Sequence, residues 1–356
     1  MTARRRVLGA TAGALGLGVA GAAVGAVGVS RQRRAIGRRT VDDTPFGSLH
    51  SPPITVVADD GVPLHVEVDE LDPDVEHQAG PLTLVFIHGY ALNLDCWHFQ
   101  RAAYRGLVRA VYYDQRSHGR SGRSAAKDAT IEQLGRDLEQ VIDAVVPDGP
   151  VVLVGHSMGG MTIAAFTEDR PELIGERVAG VALISTTAGG FDPSRVFLPL
   201  LPAKLGSQLT GRAMSTLARG HKLVDGVRRA GRSIALVATD AFAFGDNVPK
   251  SYVDFVDSML SKTPFEVLAE FFPSFRSLDK FDAIGVLGTI PATIICGTSD
   301  KLTSIGHSRK LHARIAGSDL LECDGAGHMV LLERHGQVNA ALDQLISAAA
   351  ERVRSR

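Results

Sequence analysis

The stretch that decides the fold is Val151-Val152-Leu153-Val154-Gly155-His156-Ser157-Met158-Gly159-Gly160. Its opening apolar run, mostly β-branched, has the pattern of a short strand buried on both faces. Gly-His-Ser-Met-Gly follows at once, and from Met158 to Arg170 the pattern turns helical. A strand that passes into a helix through G-x-S-x-G makes a sharp turn, with the serine in a strained backbone and its Oγ clear of the sheet. The flanking glycines permit close approach, and the helix N-terminus beneath favours developing negative charge.

Outward from this turn, strand and helix alternate. Ile54–Ala58 and Leu64–Val68 flank Asp60-Gly61 as a hairpin. Leu82–Ile87, Val108–Tyr113, Val178–Ile184, Ala292–Ile295 and Asp319–Glu322 are further predicted strands. Between them Ile131–Val146 places Ile131, Leu134, Leu138, Val141, Ile142 and Val145 on one helical face. Such alternation predicts a mostly parallel sheet covered by helices. Residues 189–282 break the rhythm with helix-like, Phe-rich sequence and are expected to form an inserted helical cap.

Two side chains complete the chemistry that Ser157 begins. Asp300, in Gly297-Thr298-Ser299-Asp300, follows one predicted strand, and His328, in Gly325-Ala326-Gly327-His328, follows the last. The chain order Ser, Asp, His and these post-strand positions fit a nucleophile, its orienting acid and its base. Asp324 is the rival acid, with Asp300 favoured by its placement. His156 is expected to pack or hydrogen-bond, Asp114 and His118 to stabilise their loop, and His335 to be solvated on the final helix. His88-Gly89 ends a strand where a loop amide can bind an oxyanion.

These motifs together resemble the cap-bearing α/β-hydrolases from about Ile54 to Ala349. The similarity rests on H-G-Y-A-L-N-L-D-C-W from His88 to Trp97, D-Q-R-S-H-G-R-S from Asp114 to Ser121, G-H-S-M-G-G, G-T-S-D-K and G-A-G-H-M-V-L-L-E. The chain departs from the family pattern at Ser117, where glycine is usual. The resemblance implies an α/β-hydrolase fold with a mostly parallel eight-stranded sheet, the core running over 40–188 and 283–356. It also implies a triad of Ser157, Asp300 and His328, and oxyanion contacts from the amides of Tyr90 and Met158. The branch it points to contains cofactor-free esterases, lactonases, perhydrolases and carbon–carbon hydrolases. Aspartate-nucleophile relatives, the epoxide hydrolases and haloalkane dehalogenases, are disfavoured because the elbow residue is serine.

The expected activity is hydrolysis of a carboxylic ester with an apolar acyl or alcohol group, the partner being a small ester or lipid-like molecule. Trp97, Phe242, Phe244, Phe271, Phe272 and Phe275 are the expected substrate contacts. A catalytically silent ligand-binding member of the fold is the reading from another class, and all three triad positions are filled. No H-E-x-x-H, phosphate loop or dinucleotide fingerprint occurs, so no metal or cofactor is expected. Cys96, Cys296 and Cys323 lack paired metal-ligand spacing and are expected as buried free thiols.

Residues 1–39 read differently. They hold eight of the 38 basic side chains and no acid, so the remaining 30 basic residues face 39 acidic ones, which argues against a nucleic-acid-binding body. Arg4-Arg5-Arg6 precede an uncharged run of 24 residues, Val7–Ser30, that is long enough to span a bilayer. The run is rich in Gly and Ala, and Arg31, Arg33, Arg34, Arg38 and Arg39 follow it. A twin-arginine-like export signal and a single membrane anchor both fit, each giving membrane association at the cell envelope. No strand or helix of the predicted body calls on these residues.

Overall fold

The computed structural model describes residues 28, 30–74, 80–191 and 236–356. Eight strands form one sheet in the order β1-β2-β4-β3-β5-β6-β7-β8. They are β1 (Pro53–Val57), β2 (Pro63–Asp69), β3 (Thr83–Ile87), β4 (Arg109–Tyr113), β5 (Val151–His156), β6 (Val178–Ile184), β7 (Ala292–Gly297) and β8 (Asp319–Cys323). β2 pairs antiparallel with both β1 and β4, and from β4 to β8 all pairings are parallel.

The continuous apolar runs follow from burial on both faces. In β3, Leu84 and Phe86 enter one core, while Val85 and Ile87 enter the other. The first core is closed by α1 (His98–Tyr104) and α7 (His335–Arg354), the second by α2 (Ile131–Val145) and α3 (Met158–Asp169). Thr130 caps α2 by accepting the Gln133 amide at 3.1 Å, an arrangement worth about 1 kcal/mol. α6 (Ile305–Arg314) joins β7 to β8.

The excursion between β6 and β7 leaves and returns at one point. Gly189 bridges Asp279, and the Lys280 amide donates to Ala188 O at 2.7 Å. Its described part comprises a helical stretch 236–243, α4 (Lys250–Leu260) and α5 (Phe265–Ser277). Residues 192–235 of the expected cap lie outside the described residues.

The end of the N-terminal arm corrects one expectation. Residues 30–37 are helical, Ile36 is fully buried, and Arg39 is ion-paired with Asp240, so the body does call on these residues. The reason is local: Ile36 is an isolated apolar residue that finds a seat in the apolar core, and Arg39 meets a carboxylate there. Among the described residues no helix is long and apolar enough to cross a membrane. Of the uncharged run, only residues 28 and 30 are described.

Candidate active site

The C-terminal ends of four parallel strands, two on either side of β6, supply the site, as expected for an open α/β sheet. β3 leads into His88–Tyr90, β5 into Ser157, β7 into Asp300 and β8 into His328. Ser157 has φ 52° and ψ −116°, a backbone conformation that costs a non-glycine residue about 1–3 kcal/mol. Its amide donates to Ile184 O at 2.9 Å, and Thr186 Oγ1 donates to Ser157 O at 2.6 Å, which hold the turn. The elbow glycines are required by space: a Cβ on Gly159 would lie 2.0 Å from Ile87 O.

His328 Nδ1 lies 2.9 Å from Asp300 Oδ2. The other Asp300 oxygen accepts the amides of Leu302 (2.8 Å) and Thr303 (3.0 Å), and Thr303 Oγ1 donates to Oδ2 at 3.0 Å. Burial alone would raise this carboxyl, but the His328 charge, its hydrogen bond and these donors outweigh burial and hold it below its ordinary value. Asp300 is therefore the acceptor and His328 Nδ1 carries the proton, which leaves Nε2 as the basic nitrogen. The rival Asp324 is exposed and accepts from Thr298 Oγ1 at 3.3 Å instead.

His156 and His88 are both fully buried and serve the surrounding loops. His156 Nε2 lies 3.0 Å from the His328 carbonyl, so it donates, and its Nδ1 is an unpaired acceptor among the described residues. His88 Nδ1 donates to Gly89 O at 2.7 Å, because Nε2 already accepts the Gln115 amide at 2.9 Å. Burial pushes both imidazoles down to about 3, so both stay neutral. The Asp114 carboxylate accepts the amides of Leu94 (2.8 Å) and Arg120 (2.7 Å), and His118 Nδ1 donates to Arg116 O at 2.9 Å. Ser117 adopts φ 63°, the left-handed region where glycine is free of strain. Its hydroxyl accepts the Ser124 amide at 3.0 Å, a contact glycine lacks.

Ser157, His328, Tyr90 and Met158 all line a cavity of about 540 Å3 beneath the described part of the cap. Met158 is the first residue of α3, so its amide has no acceptor within the helix. The Tyr90 hydroxyl donates to Leu268 O, tying the β3 loop to the cap. The wall is mostly apolar, with Phe191, Phe242, Leu260 and Phe275 prominent and Thr239, Asp257, Ser261 and Thr303 as polar exceptions.

Four expected substrate contacts lie behind that wall. Trp97 is fully buried and packs on Phe86, with ring centroids 5.1 Å apart, inside the sheet core. Phe244 is buried in the same core. Phe271 packs with Ile131, Leu134 and Met161, in the seam that seats the cap on α2 and α3, and Phe272 is buried outside the cavity wall. Bulk that seats a helix and bulk that faces a substrate have the same apolar spacing, and only Phe242 and Phe275 of the expected set face the cavity. His335, expected to be solvated, is half-buried and stacks on Phe99 at 3.9 Å.

The sequence reading missed Glu333, the last residue of the G-A-G-H-M-V-L-L-E run. It accepts the amides of Gly327 (2.7 Å) and Gly245 (3.0 Å), clamping the His328 loop to the cap. The three cysteines are buried and free. Burial raises Cys296 and Cys323 to about 12 and about 11, so neither offers a thiolate.

A model of the alpha/beta hydrolase family matches residues 84–341, well over half of the chain. The chain belongs to the alpha/beta hydrolase family. This alpha/beta hydrolase is similar to epoxide hydrolase A of Mycobacterium tuberculosis, at 26% identity over 307 residues, covering 76% of this chain and 92% of that protein. Among solved structures it is similar to a thermophilic esterase from Thermogutta terrifontis, with a TM-score of 0.64 and 19% identity, covering 84% and 100% of the two chains. It is also similar to a bromoperoxidase from Bacillus anthracis, with a TM-score of 0.64 and 18% identity, covering 83% and 99%. At such identities the solved structures establish the fold alone.

Proposed function

We propose that this hydrolase cleaves carboxylic esters bearing an apolar acyl or alcohol group, through an acyl-enzyme on Ser157. The observation that carries the reading is a strained serine sharing an apolar cavity with a histidine whose Nδ1 is paired to a buried carboxylate. In this reading His328 Nε2 takes the Ser157 proton as Oγ attacks the ester carbonyl, and then delivers it to the departing alcohol. Water, deprotonated by the same nitrogen, attacks the acyl carbon, releasing the acid and restoring Ser157. The amides of Met158 and Tyr90 stabilise the oxyanion, each donor being worth about 2.7–4 kcal/mol in the barrier.

Epoxide opening is disfavoured on chemical grounds. A serine that opened an epoxide would form an alkyl ether, which has no carbonyl for water to attack, and turnover would stop. A carboxylate nucleophile would instead leave a hydrolysable ester, and the elbow residue here is Ser157. We also place the protein at the cell envelope, because the uncharged run Val7–Ser30 is flanked by arginines.

The test is fluorophosphonate labelling followed by a series of acyl esters. Ser157→Ala and His328→Ala should each remove labelling and nearly all hydrolysis, and the double variant should lose little more. Each buried methylene is worth about 0.8 kcal/mol, so kcat/KM should climb severalfold from two-carbon to four-carbon acyl groups. Retained turnover in Ser157→Ala would overturn the mechanism, and a strict acetyl preference would overturn the apolar pocket.

A further inference from the structure

The arm that enters the fold grips the cap along its outer side. Ile36 is buried in the same cluster as Phe244, Val253 and Val256. Arg39 places both terminal guanidinium nitrogens on Asp240, Nη2 lying 3.0 Å from Oδ2, and Gln32 Nε2 reaches the same carboxylate at 3.1 Å. Further along, Thr40 O accepts the Lys250 amide at 3.0 Å, and the Asp42 amide donates to Ser251 Oγ at 3.1 Å. Phe46 stacks on Phe255, with centroids 4.6 Å apart.

The gripped elements are also the cavity wall. Stretch 236–243 carries Ala238, Thr239, Phe242 and Ala243 to the cavity and Asp240 to the arm, as helical spacing allows. α4 likewise turns Val256 and Leu260 inward and Phe255 outward. The far end of 236–243 is already fixed to the loop that bears His328. The Met329 amide donates to Ala243 O at 2.8 Å, and Gly327 approaches so closely that a Cβ there would lie 2.4 Å from Gly245 N. The arm therefore fixes the outer side of a wall whose far end rests on the His328 loop.

We propose that residues 32–46 form a strap that sets the position of the cap wall and so the length of substrate accepted, with Arg39–Asp240 as its specificity-determining contact. Both side chains are largely buried, so their attraction escapes most of the screening that weakens surface pairs. The strap lies outside residues 84–341, the part of the chain that matches the family. The substrate arm of the test rests on the ester-hydrolase reading.

Full-length R39Q, D240N and the charge-swapped R39D/D240R are compared through the ratio of kcat/KM on six-carbon and two-carbon acyl esters. Each single variant should shift that ratio by roughly threefold to tenfold, and the swap should restore it towards wild type. R39K, which keeps the charge and loses the fork, covers the case in which a single variant fails to fold, and should shift the ratio less in the same direction. An unchanged ratio, or equal losses on both esters without recovery in the swap, overturns the proposal. Hydrogen–deuterium exchange needs no turnover and separates the two readings. Faster exchange at 236–243 in R39Q, with the elbow unchanged, supports the strap, and equal exchange overturns it. A wild-type protein that hydrolyses no ester defeats the esterase reading and leaves the exchange arm standing.

Discussion

Mild acid should destabilise this protein through three histidines that the fold keeps neutral. Burial pushes His88 and His156 down to about 3 and His118 to about 4, with the neighbouring histidines adding to the shift at His88 and His156. In the unfolded chain each has an ordinary value of about 6.5. Between those limits the unfolded state binds more protons, so this stability is present above about pH 6.5 and is lost as pH falls. From pH 7 to pH 5 each histidine costs about 2 kcal/mol, or about 6 kcal/mol for the three. Asp114 works the other way. Burial raises it to about 6, outweighing the amides that donate to it. Its proton is thus held more tightly when folded, which returns about 1 kcal/mol over the same range. Asp137 and Glu333, also raised by burial, act in that sense, and His98, lowered by burial, acts with the other histidines. The three histidines less Asp114 leave a loss of about 5 kcal/mol, a large part of a total stability of about 5–15 kcal/mol. With a urea slope of about 3 kcal/mol/M, the midpoint should fall by about 1.7 M between pH 7 and pH 5. His118→Gln, which keeps a donor near Arg116 O but does not titrate, should lose about 2 kcal/mol less over that interval. A midpoint that stays level, or an unchanged drop in His118→Gln, would refute the reasoning.

Other expectations separate residues that look alike in sequence. Asp300→Asn should lower kcat about 10^4-fold by favouring the wrong His328 tautomer, while Asp324→Asn, exposed, should alter neither kcat nor stability by more than about 0.5 kcal/mol. Ser117→Gly exchanges left-handed strain for a lost hydrogen bond and should leave the melting temperature almost unchanged. Ser117→Ala keeps the strain and strands the Ser124 amide, so it should cost about 1–3 kcal/mol by urea denaturation. If the leading segment is a twin-arginine signal, changing Arg4, Arg5 and Arg6 to Lys should stop export of a fused reporter. Export that survives the change points to another route, and full-length protein found wholly in the soluble cytosolic fraction rules out both envelope readings.

The sheet was legible because strands buried on both faces need unbroken apolar runs, and such runs as Leu82–Ile87 have few other readings. The grouping of the candidate site residues was legible for a positional reason. Ser157, Asp300 and His328 each follow a strand, and the ends of neighbouring parallel strands converge. What sequence left hidden was direction. Phe271 and Phe275 lie four residues apart on one helix, yet Phe271 is sunk in the seam and Phe275 faces the cavity. Ile36 was hidden differently, as one large apolar residue among five arginines with no periodic pattern to mark it. Glu333 stood inside a quoted motif, but its worth depends on two amides from distant segments, Gly327 and Gly245, that only the fold brings together.

That division has a physical consequence for how such a chain diverges. Ser157 and Asp300 follow β5 and β7, which are paired on both sides, and His328 follows β8, whose register is set by β7, so a one-residue slip would misplace core side chains along with the site. Changes there are costly, whatever the substrate. The wall above them is built from 236–243, α4 and α5, and part of its support comes from the arm through Asp240 and Phe255. A substitution in the arm touches neither the elbow nor the Asp300–His328 pair. In the proposed reading it acts first on the helices that line the cavity. On that proposal, selectivity shifts in small steps through residues 32–46 while the chemistry proposed at Ser157 stays as it is.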